Sequence, residues 1–132
     1  MNEPYWLSND VVLVIHAKQI EQHGGSAGVR DENLLSASLA RPKHLFAYEQ
    51  PNLFELAAAY GYGIAKNHPF IDGNKRTAFA AAATFLLVNN YLLDAPEQEA
   101  IAMMEGLACD RETQASLAQW LTNNSQIEAQ TT

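Results

Sequence analysis

The chain has 132 residues, 48% of them hydrophobic, with 8 Lys and Arg against 15 Asp and Glu for a formal net charge of −7. That length suits one domain with a sizeable core, and the acidic balance argues against non-specific nucleic-acid binding while leaving room for a local basic pocket. Cys109 is the only cysteine, no apolar run reaches membrane-spanning length, and the N-terminus lacks a basic-then-apolar secretion signal, so the expectation is a soluble, cytoplasmic protein without disulfides.

From the N-terminus, Ser8 or Asn9 caps an apolar stretch read as a helix as far as Gln22, although Val11 to Ile15 alone has strand composition. The run His23-Gly24-Gly25-Ser26-Ala27-Gly28 then breaks the chain. With no Gly-Lys-Ser/Thr after it and no strand before it, it reads as a loop and not a phosphate loop. Asp31 caps a second helix with Leu34, Leu35 and Leu39 on its buried face, expected to stop before Pro42. Between Pro42 and Pro51, Phe46 and Tyr48 alternate as on an extended segment. A surface loop with two aromatics tucked inward accounts for them as well.

Pro51 opens a third helix at its favoured first position, with Leu53, Leu56, Ala57, Tyr60 and Ile64 on one stripe and Phe54, Ala58 and Ala65 on another. The next helix, from near Asn74 to Asn89-Asn90, is also apolar nearly all round, which marks both as interior. A fifth helix starts around Asp94-Ala95-Pro96-Glu97 and buries Ile101, Met104 and Ala108; Asp110 caps a last one with Leu117, Trp120 and Leu121 inside. Cys109 is expected to be a small buried filler. The polar tail from Asn123 to Thr132 is expected to fray, and residues 1–132 read as a single domain without repeats or linkers.

The two interior helices are joined by His68-Pro69-Phe70-Ile71-Asp72-Gly73-Asn74-Lys75-Arg76. Gly73 and Asn74 read as a turn and an N-cap. A helix start carries partial positive charge and unpaired N–H donors, so its first turn favours Asp or Glu. This one opens with Lys75 and Arg76. Two cations added to a ring of backbone donors make sense if an anion, best a phosphate, binds there. Pro69 ends the preceding helix near His68 and leaves its imidazole at the rim, where histidine is suited to take a proton. Asp72 is a hard carboxylate beside the phosphate site, as magnesium requires. Taken singly, each of these residues is ordinary turn chemistry.

Together they resemble the Fic/Doc superfamily, whose core pattern is His-x-Phe-x-Asp/Glu-Gly/Ala-Asn followed by Gly-Arg in Fic and Lys-Arg in Doc. His68, Phe70, Asp72, Gly73 and Asn74 fill the shared positions, and Lys75-Arg76 is similar to the Doc branch. Phe79 stands where Fic members usually carry a second Arg. Ala80 stands where some Doc members have Asn, which removes a polar contact made in those relatives. The resemblance implies an all-α fold of about six helices with a short extended flap before the site, to which Phe46 and Tyr48 correspond, holding a target peptide by backbone pairing.

It also implies a toxin of a toxin–antitoxin pair that moves the γ-phosphoryl of ATP to a hydroxyl of a translation factor similar to elongation factor Tu. His68, Asp72 and Arg76 would be catalytic, with Asp72 holding Mg²⁺. Gly73, Asn74, Lys75, Arg76 and Lys66 would bind phosphate, although Lys66 is as well explained as a solvated cation near a helix end. A cognate antitoxin with a segment that folds on binding is the implied partner. No nucleic acid or membrane is implied. The chain lacks an internal Ser/Thr-x-x-x-Glu-Gly/Asn inhibitory motif; the nearest match, Ile101 to Gly106, has Ile where a hydroxyl is required. Two alternatives stand beside the kinase: adenylyl transfer of the Fic type, and a non-catalytic binder of nucleotide or partner.

Overall fold

A computed structural model describes residues 2–128, which form α1 (Asn9–His23), α2 (Glu32–Tyr48), α3 (Leu53–Asn67), α4 (Asn74–Val88), β1 (Tyr91–Leu93), α5 (Glu97–Ala108), α6 (Gln114–Asn123) and β2 (Ser125–Ile127). The fold is helical, as expected, with one small antiparallel sheet in which Tyr91 pairs with Ile127 and Leu93 with Ser125. That pairing corrects the expectation of fraying from Asn123 onward; residues 129–132 of that tail lie outside the described ones. No helix among the described residues is long and apolar enough to cross a membrane.

α3 is the centre of the core because its middle, Leu56 to Ala65, carries no charged residue. Leu56 through Tyr60 and Ile64 are fully buried, packed on by α2, α4 and α6. Small residues set the distances: a Cβ on Gly61 would lie 3.1 Å from Leu117 Cδ2. Tyr60 carries the one polar tip of this stripe, and its hydroxyl accepts the Leu7 N–H at 3.0 Å. Burial pushes the Tyr60 phenol pKa up, partly offset by that hydrogen bond.

α2 does not stop before Pro42. It runs on to Tyr48 with Pro42 buried inside it. An interior proline costs about 3 kcal/mol through its lost N–H and ring clash. Leu35 and Leu39 are buried before it, and Leu45 and Phe46 pack on the core after it; at about 1.5–3 kcal/mol for each fully buried aliphatic side chain, packing outweighs the break. The carbonyl left without its partner, on Ser38, faces the bare Cα of Gly63, where a Cβ would sit 3.3 Å from the oxygen.

The expected flap is therefore absent at Phe46 and Tyr48. Both are helical; Phe46 meets Trp6 edge-on at 5.6 Å, and Tyr48 is 86% exposed. Extended backbone beside the motif comes from elsewhere, through a bridge between Val29 and Phe70.

Helix starts also shift by a residue or more where side chains outrank proline. Asn52 caps α3 in a capping box with Glu55, and Thr113 caps α6 in another with Ser116. Asp110 instead adopts a left-handed turn at φ 66°. Cys109 is exposed, not buried filler.

Candidate active site

α3 ends at Asn67, and His68 takes the left-handed conformation at φ 49°, ψ 56°. For a non-glycine residue this costs roughly 1–3 kcal/mol and persists only where neighbours over-determine it. Arg30 does so: its Nε donates to the His68 carbonyl at 2.7 Å and its Nη2 to the Asn67 carbonyl at 2.9 Å. A guanidinium fork on the last carbonyls of a helix also complements the helix dipole. The fixed backbone leaves the His68 ring exposed on the wall of a cleft of about 890 Å³.

After Pro69 the chain dives inward. Phe70 is fully buried, and its N–H and C=O are both taken by the Asn74 side chain, at 2.9 Å to Oδ1 and 3.0 Å from Nδ2. The Phe70 ring stacks on His16 of α1 at 3.8 Å and 7°. His16 Nε2 lies 2.8 Å from the Asp72 carbonyl; a carbonyl only accepts, so this nitrogen carries the proton. One side chain thus fixes two points of the motif.

Gly73, at φ 78°, is the true N-cap of α4, and no side chain caps the helix. A Cβ there would sit 3.2 Å from Ile20 Cδ1, on top of the strain that its φ imposes. The first-turn N–H groups of α4 therefore lack a side-chain cap at the cleft wall, where Lys75 and Arg76 are exposed. Asn74 is not the cap: its side-chain amide is committed to Phe70 as a clamp on the loop, while the residue itself lines the cleft at the start of α4.

Lys66, also expected to bind phosphate, has a partner of its own. Its Nζ pairs with Asp110 Oδ1 at 2.7 Å, and it does not line the cleft. The hydrogen bond to Asp110 raises its pKa further. Lys66→Met should leave nucleotide affinity unchanged within about twofold, as expected for an exposed pair away from the ligand; a tenfold loss in a binding titration would return Lys66 to the site.

Further along the same face of α4 as the cations, Phe79, Ala80 and Ala83 line the cleft together with Ile101 and Met104 of α5. Ile101, expected in the core, is 47% exposed here. The cleft thus offers anion donors and an apolar wall together, a combination suited to an anion with an apolar body. No group of three or more His, Cys, Asp or Glu able to hold a metal exists among the described residues. Asp72 lines the cleft alone as a carboxylate of the motif, with Oδ2 accepting the Ser26 N–H at 2.8 Å. That donor set fits an ion carried in by phosphate oxygens, since magnesium often uses one or two carboxylates and completes its shell from substrate and water.

Residues 6–86 match the Fic/DOC family over all of α1 to α3 and the whole motif. The chain belongs to the Fic/Doc family. Among its relatives, Toxin Doc of Mycolicibacterium smegmatis is 49% identical over 76 residues, covering 54% of this chain and 57% of that protein. Protein kinase doc of Escherichia phage P1 is 36% identical over 93 residues, covering 69% of this chain and 74% of that protein. The match therefore spans little more than half the length of the first of these relatives. In this Fic/Doc chain the α5 wall of the cleft, with Ile101 and Met104, lies beyond the family match.

Sequence reasoning missed His16, Ser26, Arg30 and the cleft-lining His23. His16 falls four residues after buried Val12, and that spacing on one helix face is the signal that would have placed it inward. Ser26 acts through its backbone, which no side-chain pattern reveals.

Proposed function

We propose that this chain is the toxin of a toxin–antitoxin pair and transfers the γ-phosphoryl of Mg-ATP to a Ser or Thr hydroxyl of a translation factor similar to elongation factor Tu. The observation that carries the reading is one cleft wall shared by an exposed imidazole, His68, and the uncapped, doubly cationic start of α4. The name Protein kinase doc, given to a 36% identical relative, supports the phosphoryl chemistry.

Phosphoryl transfer needs alignment and charge neutralisation more than covalent chemistry. In this reading His68 accepts the proton of the attacking hydroxyl. The hydroxyl oxygen forms its bond to the γ-phosphorus as the bond to the β,γ-bridging oxygen breaks, and ADP leaves. Lys75, Arg76 and the α4 N–H groups bind the phosphate oxygens. Asp72 would hold Mg²⁺, which supplies further neutralisation of the phosphates when bound. Gly73 lets the backbone approach them.

The test is the target's mass increment after incubation with elongation factor Tu and ATP labelled separately on its α- and γ-phosphates. Transfer of the γ-label is expected; transfer of the α-label replaces the kinase with an adenylyl transferase, and no transfer leaves a binder. Lys75 is the residue on which the two enzymes divide. It lines the cleft, exposed in the first turn of α4, and in this reading offers charge to a terminal phosphate. Lys75→Gly should lower γ-transfer about tenfold or more, as loss of a charged contact to phosphate does. Lys75→Gly with Phe79→Arg should give more α-label product than either single change; equal traces from all three variants would remove Lys75 as the determinant. Neutralisation by an antitoxin segment that folds on binding is tested by co-expression with the neighbouring gene product, where loss of toxicity and co-purification are expected.

A further inference from the structure

The loop between α1 and α2 is more than a connection, for it reaches the motif's carboxylate. Gly24, Gly25 and Gly28 all have positive φ, at 83°, 114° and 115°, so this path is one that glycine adopts and other residues resist. It delivers the Ser26 N–H to Asp72 Oδ2 at 2.8 Å. Gly25 lies so close beneath that a Cβ would meet Asp72 Cβ at 3.2 Å and Oδ2 at 3.5 Å. The Asp72 backbone is held separately, by His16 on its carbonyl. Asp72 sits on a bend before a helix cap, where an unrestrained carboxylate is free to rotate about χ1 and χ2. The Ser26 donor removes that freedom and occupies one oxygen.

We propose that the Gly25–Ser26 peptide is the positioning element of Asp72: the Ser26 N–H fixes the carboxylate with Oδ2 turned to the loop, so that Oδ1 is presented for a divalent cation bound together with the nucleotide phosphates. The inference rests on Asp72 as the cation ligand of the proposed kinase. Groups that orient a metal ligand typically change metal affinity by about 10–100-fold when removed. The Ser26 hydroxyl has no part in it; the backbone donor is the active group.

The experiment measures binding of a non-hydrolysable ATP analogue to the full chain by calorimetry, across a Mg²⁺ titration and in its absence. No turnover enters the readout. Ser26→Pro deletes the donor, Ser26→Ala keeps it, and Gly25→Ala keeps it while pressing on Asp72. Ser26→Pro and Gly25→Ala should raise the Mg²⁺ concentration for half-maximal binding about tenfold with Mg²⁺-free affinity held near wild type, measured well below a thermal unfolding midpoint that the positive φ of Gly25 makes Gly25→Ala lower. Ser26→Ala should match wild type. If Ser26→Pro and Gly25→Ala both leave the Mg²⁺ curve in place while Asp72→Asn shifts it, the clamp is wrong and the ligand assignment stands. If Asp72→Asn also leaves the curve in place, both fall. A global loss of folding in Ser26→Pro hands the decision to Gly25→Ala, whose unshifted curve overturns the clamp.

Discussion

His68→Ala should lower phosphoryl transfer by about 10²–10⁴-fold, the usual contribution of a general base, while the protein stays folded. The ring is exposed and faces the cleft, so truncation empties no core volume. What holds the residue is its backbone, through the Arg30 bonds to the carbonyls of His68 and Asn67 at 2.7 and 2.9 Å. Alanine is poorly suited to a φ of 49°, and a shifted backbone would confuse the result. His68→Asn is the companion variant, because asparagine enters the left-handed region more readily than most residues. It keeps the turn and loses the imidazole. Both variants should lose turnover and keep ATP affinity within about threefold, since phosphate binding rests on Lys75, Arg76 and the α4 start. Turnover within tenfold of wild type in His68→Asn would remove His68 as the base. Loss of ATP affinity in step with turnover would make it a binding residue instead.

The sequence was most legible where one residue decides the local outcome. Ser8 and Asp31 cap their helices as side-chain acceptors, and Pro69 brings α3 to its end at Asn67. The two cations at a helix start, an anomaly in the sequence, line the cleft in the structure. Legibility failed where a remote partner decides. Pro42 should have ended α2, and packing on α3 overrode it. The alternation of Phe46 and Tyr48 mimicked a strand, yet Phe46 has Trp6 to pack against, and a helix satisfies that contact without an extended backbone. Lys66 sits one turn from the motif in sequence, but Asp110, 44 residues away, takes its charge. Asn74 reads in the sequence as a cap, and the structure gives that position to Gly73. Asparagine at a helix start is usually an N-cap, and only the position of Phe70 shows what its amide does.

That amide carries the second large expectation. Phe70 is fully buried, so its N–H and C=O have no water to turn to, and the Asn74 side chain answers both. The orientation of the amide follows from chemistry, since only Oδ1 can face an N–H and only Nδ2 a carbonyl. Asn74→Ala leaves a buried donor and a buried acceptor unpaired, at about 1–3 kcal/mol for each group so stranded. A loss of about 3 kcal/mol is a large share of the 5–15 kcal/mol that typically holds a domain together, and for a chain of this size it lowers the midpoint by roughly 10 °C. Asn74→Asp sharpens the test. It is isosteric and still accepts from the Phe70 N–H, but its second oxygen confronts the Phe70 carbonyl where a donor stood. Acceptor against acceptor in a buried site should make it at least as unstable as alanine near neutral pH. Asn89 supplies the control, for it clamps Tyr5 in the same two-ended way, at 2.9 and 3.0 Å, away from the cleft. Asn89→Ala should lower stability without touching transfer measured well below its midpoint. Asn74→Ala, measured under the same folded conditions, should also lose at least tenfold in rate, because Phe70 fixes the two motif residues, His68 and Asp72, that lie two positions to either side of it. Wild-type turnover in folded Asn74→Ala would separate the clamp from the chemistry and leave Asn74 with a structural role alone.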